Sequence, residues 1–281
     1  MFPFDQIGRL EKLTLLDPVS RLLARGVTAV VTPPKLENAL HGTWLGHPLH
    51  AVLVQVPTGS FVSATLLDLT GADPAAADRL ATVGLLSSLP AAAAGATDWS
   101  KASPNTQRTG LVHAALNTAG LVLWIASRVA RARGDRASGT RLGQLGTAVL
   151  GASATIGGHL SYRNGLGADS QSDLGLVGPS DWVDVGADDL PDSTPVRRDA
   201  DGTAVVLVRQ GSTVHALADL CTHQSGPLSD GEVADGCLSC PWHGSRFRLS
   251  DGAVVQGPSV HPQPVFDVRR SGGRLSVAPR G

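Results

Sequence analysis

The chain has 281 residues, with 23 Lys/Arg against 24 Asp/Glu for a net charge of −1, and three cysteines. That near-neutral balance excludes the strongly basic surface of a nucleic-acid-binding domain, and three cysteines are too few for a disulfide framework, which favours a reducing compartment. Residues 1–175 carry 14 Lys/Arg against 11 Asp/Glu and residues 176–281 carry 9 against 13, an asymmetry that fits two domains in different surroundings.

Residues 1–40 read as an amphipathic, interfacial segment. In GRLEKLTLLDPVSRLLAR (8–25), Leu10, Leu13, Leu16, Leu22 and Leu23 form a helical stripe opposite Lys12, Arg21 and Arg25, and Pro18 is expected to break or kink the run. Residues 41–165 read as a four-helix transmembrane domain. No Asp, Glu, Lys or Arg occurs between Glu37 and Asp68, and further uncharged blocks span 80–97, 109–127 and 142–161. Each block is close to the roughly 20 residues that cross a ~30 Å hydrocarbon core. Their Ala, Gly, Ser and Thr content lets membrane helices approach closely, although it also leaves a soluble four-helix bundle as the alternative. In the fourth block Gly143, Thr147, Gly151, Thr155 and His159 are spaced as one i, i+4 packing ridge. Trp44, Trp99 and Tyr162 lie near block ends, where an interfacial aromatic belt would place them.

Ionisable groups also gather at block ends: His47 and His50 open the first, Asp98 follows the second, His113 is near the start of the third and His159 near the end of the fourth. If the helices alternate in direction, these five share one side of the membrane. They form a candidate second site for haem b, a quinone headgroup or a metal, the sharpest form being bis-imidazole haem ligation between facing helices. Interfacial snorkelling and helix hydrogen bonds, such as His113 to Asn117 one turn on, are the alternatives for each histidine alone.

Residues 166–179, rich in Gly and Ser, read as a linker. From 180 to 281 short β-prone runs (TAVVLVRQ, TVHAL, CLSC, RFRL, AVVQ, VFDVRR, RLSVA) alternate with DG, GS, SDG and SGG turns, the pattern of a small antiparallel all-β domain. Within it stand Cys221-x-His223 and Cys240-x-x-His243. Zinc Cys₂His₂ sites usually take both cysteines from one loop and both histidines from another. Here each loop supplies one of each, which suits a two-iron cluster with one thiolate-bound and one imidazole-bound iron.

CTH…CPWHGS resembles the Rieske [2Fe–2S] signature, over roughly 180–281, with Gly257–Pro258 matching that family's third, cluster-covering loop. The resemblance implies a Rieske-type [2Fe–2S] cluster with Cys221 and Cys240 on the inner iron and His223 and His243 on an outer, solvent-facing iron. It also implies a hydrogen bond from Ser245 to a cluster sulfur. The family's respiratory members add a disulfide and a tyrosine, but Gly226 or its neighbours, Trp242 and Phe247 stand here instead, which points to a lower potential. Cys237 reads as a small buried strand residue, and His215 and His261 as ordinary histidines. HGTWLGHPLHAVLVQVPTGS, with DWSK and GGHLSYRNG, is similar to a bacterial family of four-helix membrane domains of unknown function, over about 40–168.

The expected architecture is an α + β multidomain chain, a transmembrane four-helix bundle followed by a small all-β Rieske domain. The expected function is that of a membrane-anchored iron–sulfur protein passing single electrons between a redox partner protein and a site in or at the membrane domain. A redox or iron sensor and a simply tethered ferredoxin are the alternatives. The expected role is that of an electron-transfer component rather than a complete enzyme, and a Rieske oxygenase catalytic subunit is not expected, since nothing after the cluster loops reads as a mononuclear iron site. The expected partners are that redox protein and the lipid bilayer, with no nucleic acid. The expected location is the bacterial cell membrane, multi-pass. No Arg-Arg precedes any block, so the cluster domain is expected on the cytoplasmic side, although five arginines in 128–141 pull the other way.

Overall fold

The computed structural model describes residues 6–280, apart from the side chains of 176 and 177, so the first five residues of the amphipathic segment lie outside it. The chain forms two compact units, one made of residues up to Leu36 with Pro48–Asn164, the other of Glu37–His47 with Gly165–Gly281.

The first unit is helical. Two 3₁₀ turns, Leu10–Lys12 and Thr14–Leu16, lead into α1 (Asp17–Val30), so Pro18 starts a helix instead of kinking one. Ser20 and Ala24 face inward while Leu15, Val19, Leu22 and Val30 are exposed. Of the leucine stripe, Leu13, Leu22 and Leu23 are exposed, whereas Leu10 and Leu16 are half-buried. Next come α2 (Pro34–His41), most of which belongs to the other unit, then α3 (Leu49–Leu53), α4 (Gln55–Thr70), α5 (Pro74–Ser100), α6 (Pro104–Ala132) and α7 (Arg136–Tyr162). Asp73 caps α5 by accepting from the amides of Ala75 and Ala76, and Asp135 caps α7 through Ser138.

Leu49–Thr70, α5 and α6 are long and apolar enough to cross a membrane. The fourth long helix, α7, has the length, but its Gly-, Ser- and Thr-rich sequence is less apolar. Small residues (Ala64, Ala77, Ala81, Gly84, Ala91, Ala94) are buried, whereas Leu66, Leu69, Leu86, Leu89, Val122 and Ile125 point outward. That inverted arrangement suits lipid, where large apolar side chains gain nothing by turning inward and small ones let backbones meet.

The packing ridge of α7 differs from the expected one. Cβ atoms at Gly143 or Gly146 would come within 2.9 Å of the Trp124 ring, which is itself fully buried and stacked on Phe61 at 4.9 Å. Thr147 bonds Thr65, but Gly151 faces open space and Thr155 is exposed. An i, i+4 row drifts around a helix of 3.6 residues per turn, so the contact face continues instead through Leu150, Ser153 and Gly157. Of the expected aromatic belt, Tyr162 and Trp44 are exposed, whereas Trp99 turns in to donate to the Gln107 carbonyl at 2.9 Å.

The second unit contains a short helix, α8 (Leu174–Val177), and ten strands: β1 (Val183–Ala187), β2 (Pro195–Ala200), β3 (Thr203–Gln210), β4 (Thr213–Ala218), β5 (Glu232–Ala234), β6 (Cys237–Ser239), β7 (Arg246–Arg248), β8 (Val254–Gln256), β9 (Val265–Ser271) and β10 (Arg274–Pro279). They build a six-stranded antiparallel sheet, β1-β10-β9-β4-β3-β2, and a four-stranded one, β5-β6-β7-β8. Strand β3 explains how both cores form. Its side chains alternate with period two: Val205 and Leu207 pack with Val185, Ala216, Phe266 and Leu275, while Val206 and Val208 pack with Leu217, Leu238 and Phe247. At about 1.5–3 kcal/mol per buried aliphatic side chain, a strand buried on both faces is a main source of this unit's stability. The second core also contains Cys221 and Cys240, which ties the loops that carry them to the hydrophobic framework.

Candidate metal centre

Two loops share one local design. The Cys221 amide donates to the Gly226 carbonyl (2.9 Å) and the Ser225 amide to the Cys221 carbonyl (2.8 Å). In the second loop the Cys240 amide donates to Ser245 (2.8 Å) and the Gly244 amide to Cys240 (3.1 Å). The fourth residue after each cysteine takes a left-handed backbone, Ser225 at φ 57° and Gly244 at φ 80°. This closes each loop back on its cysteine.

Both sulfurs are buried and free of disulfides. The Cys221 thiol bonds Cys240, an interaction that adds to burial in pushing Cys221 up and outweighs burial in holding Cys240 below the usual thiol range. Each sulfur also accepts backbone N–H bonds, Cys221 from His223 and Gln224, Cys240 from Trp242 and His243. Those donors favour thiolates, the form that binds metal. The His223 and His243 rings stand nearly perpendicular, at 82°, with their Nδ1 atoms 3.3 Å apart. Burial, with the neighbouring His243 and His41 rings, lowers His223 to about 3, so its imidazole is neutral and able to ligate at physiological pH.

Among the described residues no three His, Cys, Asp or Glu side chains converge on one point. A single zinc ion would need four ligands around it. A [2Fe–2S] cluster takes two protein ligands per iron, and paired sulfurs with paired imidazoles fit that requirement. The expectation that both histidines face solvent needs correction: His223 is only 7% exposed, and His243, beside the exposed Trp242, is half-buried.

Surrounding polar groups fix the loops. Ser245 is fully buried and its Oγ accepts from the Ser259 amide at 2.9 Å, which leaves its hydroxyl hydrogen to donate elsewhere. Thr222 Oγ1 and Ser259 Oγ meet at 2.8 Å, and both bond the His261 carbonyl. Gln263 accepts from the Thr222 amide and donates to the Ala218 and Leu220 carbonyls. Asp219 accepts from the Ser229 amide at 2.7 Å. Sequence reasoning missed Thr222, Ser259, Gln263 and Asp219, because their roles depend on loops meeting in space and on no local motif. A Cβ at Gly226 would lie 2.9 Å from Cys240 Sγ and 3.0 Å from Trp242, so the end of the first loop is closely packed against the second. Cys237 is a buried strand residue of β6.

Residues 181–267 match the model of the Rieske [2Fe–2S] domain. The ferredoxin subunit of anthranilate 1,2-dioxygenase from Burkholderia cepacia is 32% identical over 99 residues, which are 92% of its length and 35% of this chain. The chain belongs to the Rieske family.

The iron–sulfur subunit of the cytochrome b6-f complex of Chlorobaculum tepidum is 28% identical to the Rieske region over 92 residues, half of that protein and 33% of this chain. Among solved structures, the ferredoxin of carbazole 1,9a-dioxygenase from Nocardioides aromaticivorans is 35% identical, covering 36% of this chain and all of that one with a TM-score of 0.34. Ahead of the Rieske domain, residues 46–170 match a predicted membrane protein family, DUF2231.

Of the five block-end groups, His50, Asp98, His113 and His159 belong to the helical unit and His47 to the other. His50 Nδ1 is 2.8 Å from the Ala91 carbonyl, and its ring lies where a Cβ at Gly95 would be, at 2.7 Å. His113 Nδ1 is 2.8 Å from the Ser153 carbonyl, its Nε2 accepts from Asn117 at 3.1 Å, and His50 lies nearby. His159 is tied to Glu11 at 2.9 Å, which also accepts from Asn164. His47 belongs to the Rieske unit, edge-on to His261 at 6.2 Å, and Asp98 lies near the end of α5. His50 and His113 are neighbours within the helical unit.

Proposed function

We propose that this protein is a membrane-anchored one-electron carrier, in which the Rieske domain exchanges electrons with a redox partner protein and with a site in the helical domain. The observation that carries the first part is the pair of matched loops that bring two thiols and two imidazoles together. A bound [2Fe–2S] cluster supplies reversible one-electron chemistry. Cys221 and Cys240 would hold the inner iron, and His223 and His243 the outer one. Backbone amides stabilise the thiolates, and Ser245 supplies a hydroxyl to a cluster sulfur. The half-buried His243, next to exposed Trp242, is the side from which a partner would exchange electrons. The dioxygenase ferredoxins among the relatives support a protein partner of that kind, docking to the domain's histidine end.

For the helical domain, the haem reading does not fit the residues: both His113 nitrogens are engaged, and both rings are pressed onto glycines of neighbouring helices. A quinone headgroup near His50 is the better form of that proposal. Donation from Nδ1 to the Ala91 carbonyl fixes the tautomer and leaves His50 Nε2 as an acceptor for a hydroxyl proton. A cytoplasmic Rieske domain belongs to the same proposal.

The test is to reconstitute the full-length protein in liposomes with a short-chain quinol and follow cluster reduction. His50→Ala should keep the cluster and slow its reduction by quinol at least tenfold. Equal rates would remove the quinone site and leave a tethered ferredoxin, the second reading, which is favoured by the match to nearly the whole length of a ferredoxin component.

A further inference from the structure

A segment from before the first apolar helix packs onto the third loop of the metal centre. It lies outside the Rieske match, which begins at residue 181, and almost wholly outside the membrane-family match, which begins at 46. Asn38 holds two backbone groups of that loop: its Nδ2 donates to the Val255 carbonyl and its Oδ1 accepts from the Gly257 amide, both at 3.0 Å. The pairing copies one rung of a β ladder and continues the edge of β8. Asn38 is itself held, its carbonyl accepting from the amides of Gly42 and Thr43 and from the Thr43 hydroxyl.

His41, three residues on, is completely buried and lies against Gly257, where an added Cβ would come 2.9 Å from its ring. It is also a neighbour of the His223 ring. His47 reaches the far end of the same loop, edge-on to His261. Three side chains of one eleven-residue segment therefore meet residues 255, 257 and 261, the stretch that also carries Ser259, whose amide bonds Ser245.

We infer that Glu37–His47 is a built-in cap on the Rieske centre, in which Asn38 and His41 act as positioning residues that fix the proline loop and keep water from His223. The inference rests on the Rieske reading of the site. Reduction adds a negative charge to the cluster, and water stabilises added charge. Loosening the cap therefore makes the cluster easier to reduce. It also gives the Gly257 amide, whose acceptor is Asn38, to solvent.

The experiment uses full-length detergent-purified protein, wild type beside Asn38→Ala, Asn38→Asp and His41→Ala. A redox titration followed by EPR is paired with hydrogen–deuterium exchange of peptides covering Gly257. Asn38→Ala and His41→Ala should keep their iron, shift the reduction equilibrium at least threefold towards the reduced state and alter the EPR g values. Asn38→Ala should exchange Gly257 at least tenfold faster. Asn38→Asp, which keeps the acceptor for Gly257, should restore most of the protection. Iron-loaded variants with wild-type potential, g values and exchange would overturn the cap. So would an unprotected Gly257 amide in the wild type, a readout that survives even if a variant fails to load. A wild-type protein with no cluster signal would instead overturn the Rieske reading beneath it.

Discussion

His223 and His243 face each other through Nδ1 atoms 3.3 Å apart, although each is carried by a separate loop closed by its own pair of backbone hydrogen bonds. Replacing either by alanine should abolish the optical and EPR signature of a histidine-ligated cluster. Cys237→Ala, which changes a strand residue outside both loops, should leave it intact. The purified variants' spectra decide this.

Ser245 gives a finer test. Its Oγ takes the Ser259 amide, and its own hydrogen is free to reach a cluster sulfur. A hydrogen bond to a charged group is worth about 1.5–3 kcal/mol, and the reduced cluster is the more negative state. Ser245→Ala should therefore retain the cluster and lower its midpoint potential, with the reduction equilibrium falling roughly tenfold for each 1.4 kcal/mol lost. An unchanged potential in a redox titration would remove Ser245 from the cluster.

In the helical unit, Gly143 and Gly151 separate a real packing face from an apparent one. Gly143→Leu collides with Trp124 and should cost about 1–3 kcal/mol by overpacking. Gly151→Leu, facing open space, should be nearly neutral or better in detergent. Thermal unfolding of the two variants measures the difference.

Arg131 and Asp68 are almost wholly buried, at 1% and 2% side-chain exposure, and form an ion pair, with Asp78 a further 3.0 Å acceptor and Arg136 a second cation. Removing Asp68 leaves the buried Arg131 guanidinium with the more exposed Asp78 in its place. Asp68→Ala should destabilise the helical unit by about 3–5 kcal/mol, seen as a lower unfolding midpoint with the cluster spectrum initially intact.

Asp188 joins Arg270 and Arg209 across the six-stranded sheet, and those guanidiniums hold its carboxyl below the usual range. A carboxyl with a lowered folded pKa adds stability above its ordinary pKa of about 3.9 and loses it as pH falls through the folded value. Asp188→Asn should be less stable than wild type at neutral pH. The two should converge in acid, as equilibrium unfolding across pH 2–7 would show.

These placements explain what was legible in the sequence. Cys221, His223, Cys240 and His243 could be read because a metal centre needs fixed donor types at fixed short spacings. The β domain could be read because β3 alternates across two cores. The uncharged blocks marked the long helices for the same reason, that hydrocarbon excludes charge. Contacts between distant segments were not legible. His159 stands at a block end in the sequence, and its partner Glu11 lies 148 residues away. Asn38 carries no motif, and its partners Val255 and Gly257 lie more than 200 residues on. The α7 ridge was misplaced because i, i+4 spacing drifts around a helix, whereas the contact with Trp124 selects Gly143 and Gly146.

The most direct measurement is low-temperature EPR of the detergent-purified full-length protein, as isolated and after dithionite, with a metal count and a redox titration on the same sample. The account predicts two irons per chain, a rhombic signal in the reduced state, and a midpoint potential between about −150 and +300 mV, the range of histidine-ligated two-iron centres. Zinc in place of iron, or a reduced cluster near the −400 mV of all-cysteine plant-type ferredoxins, would contradict it.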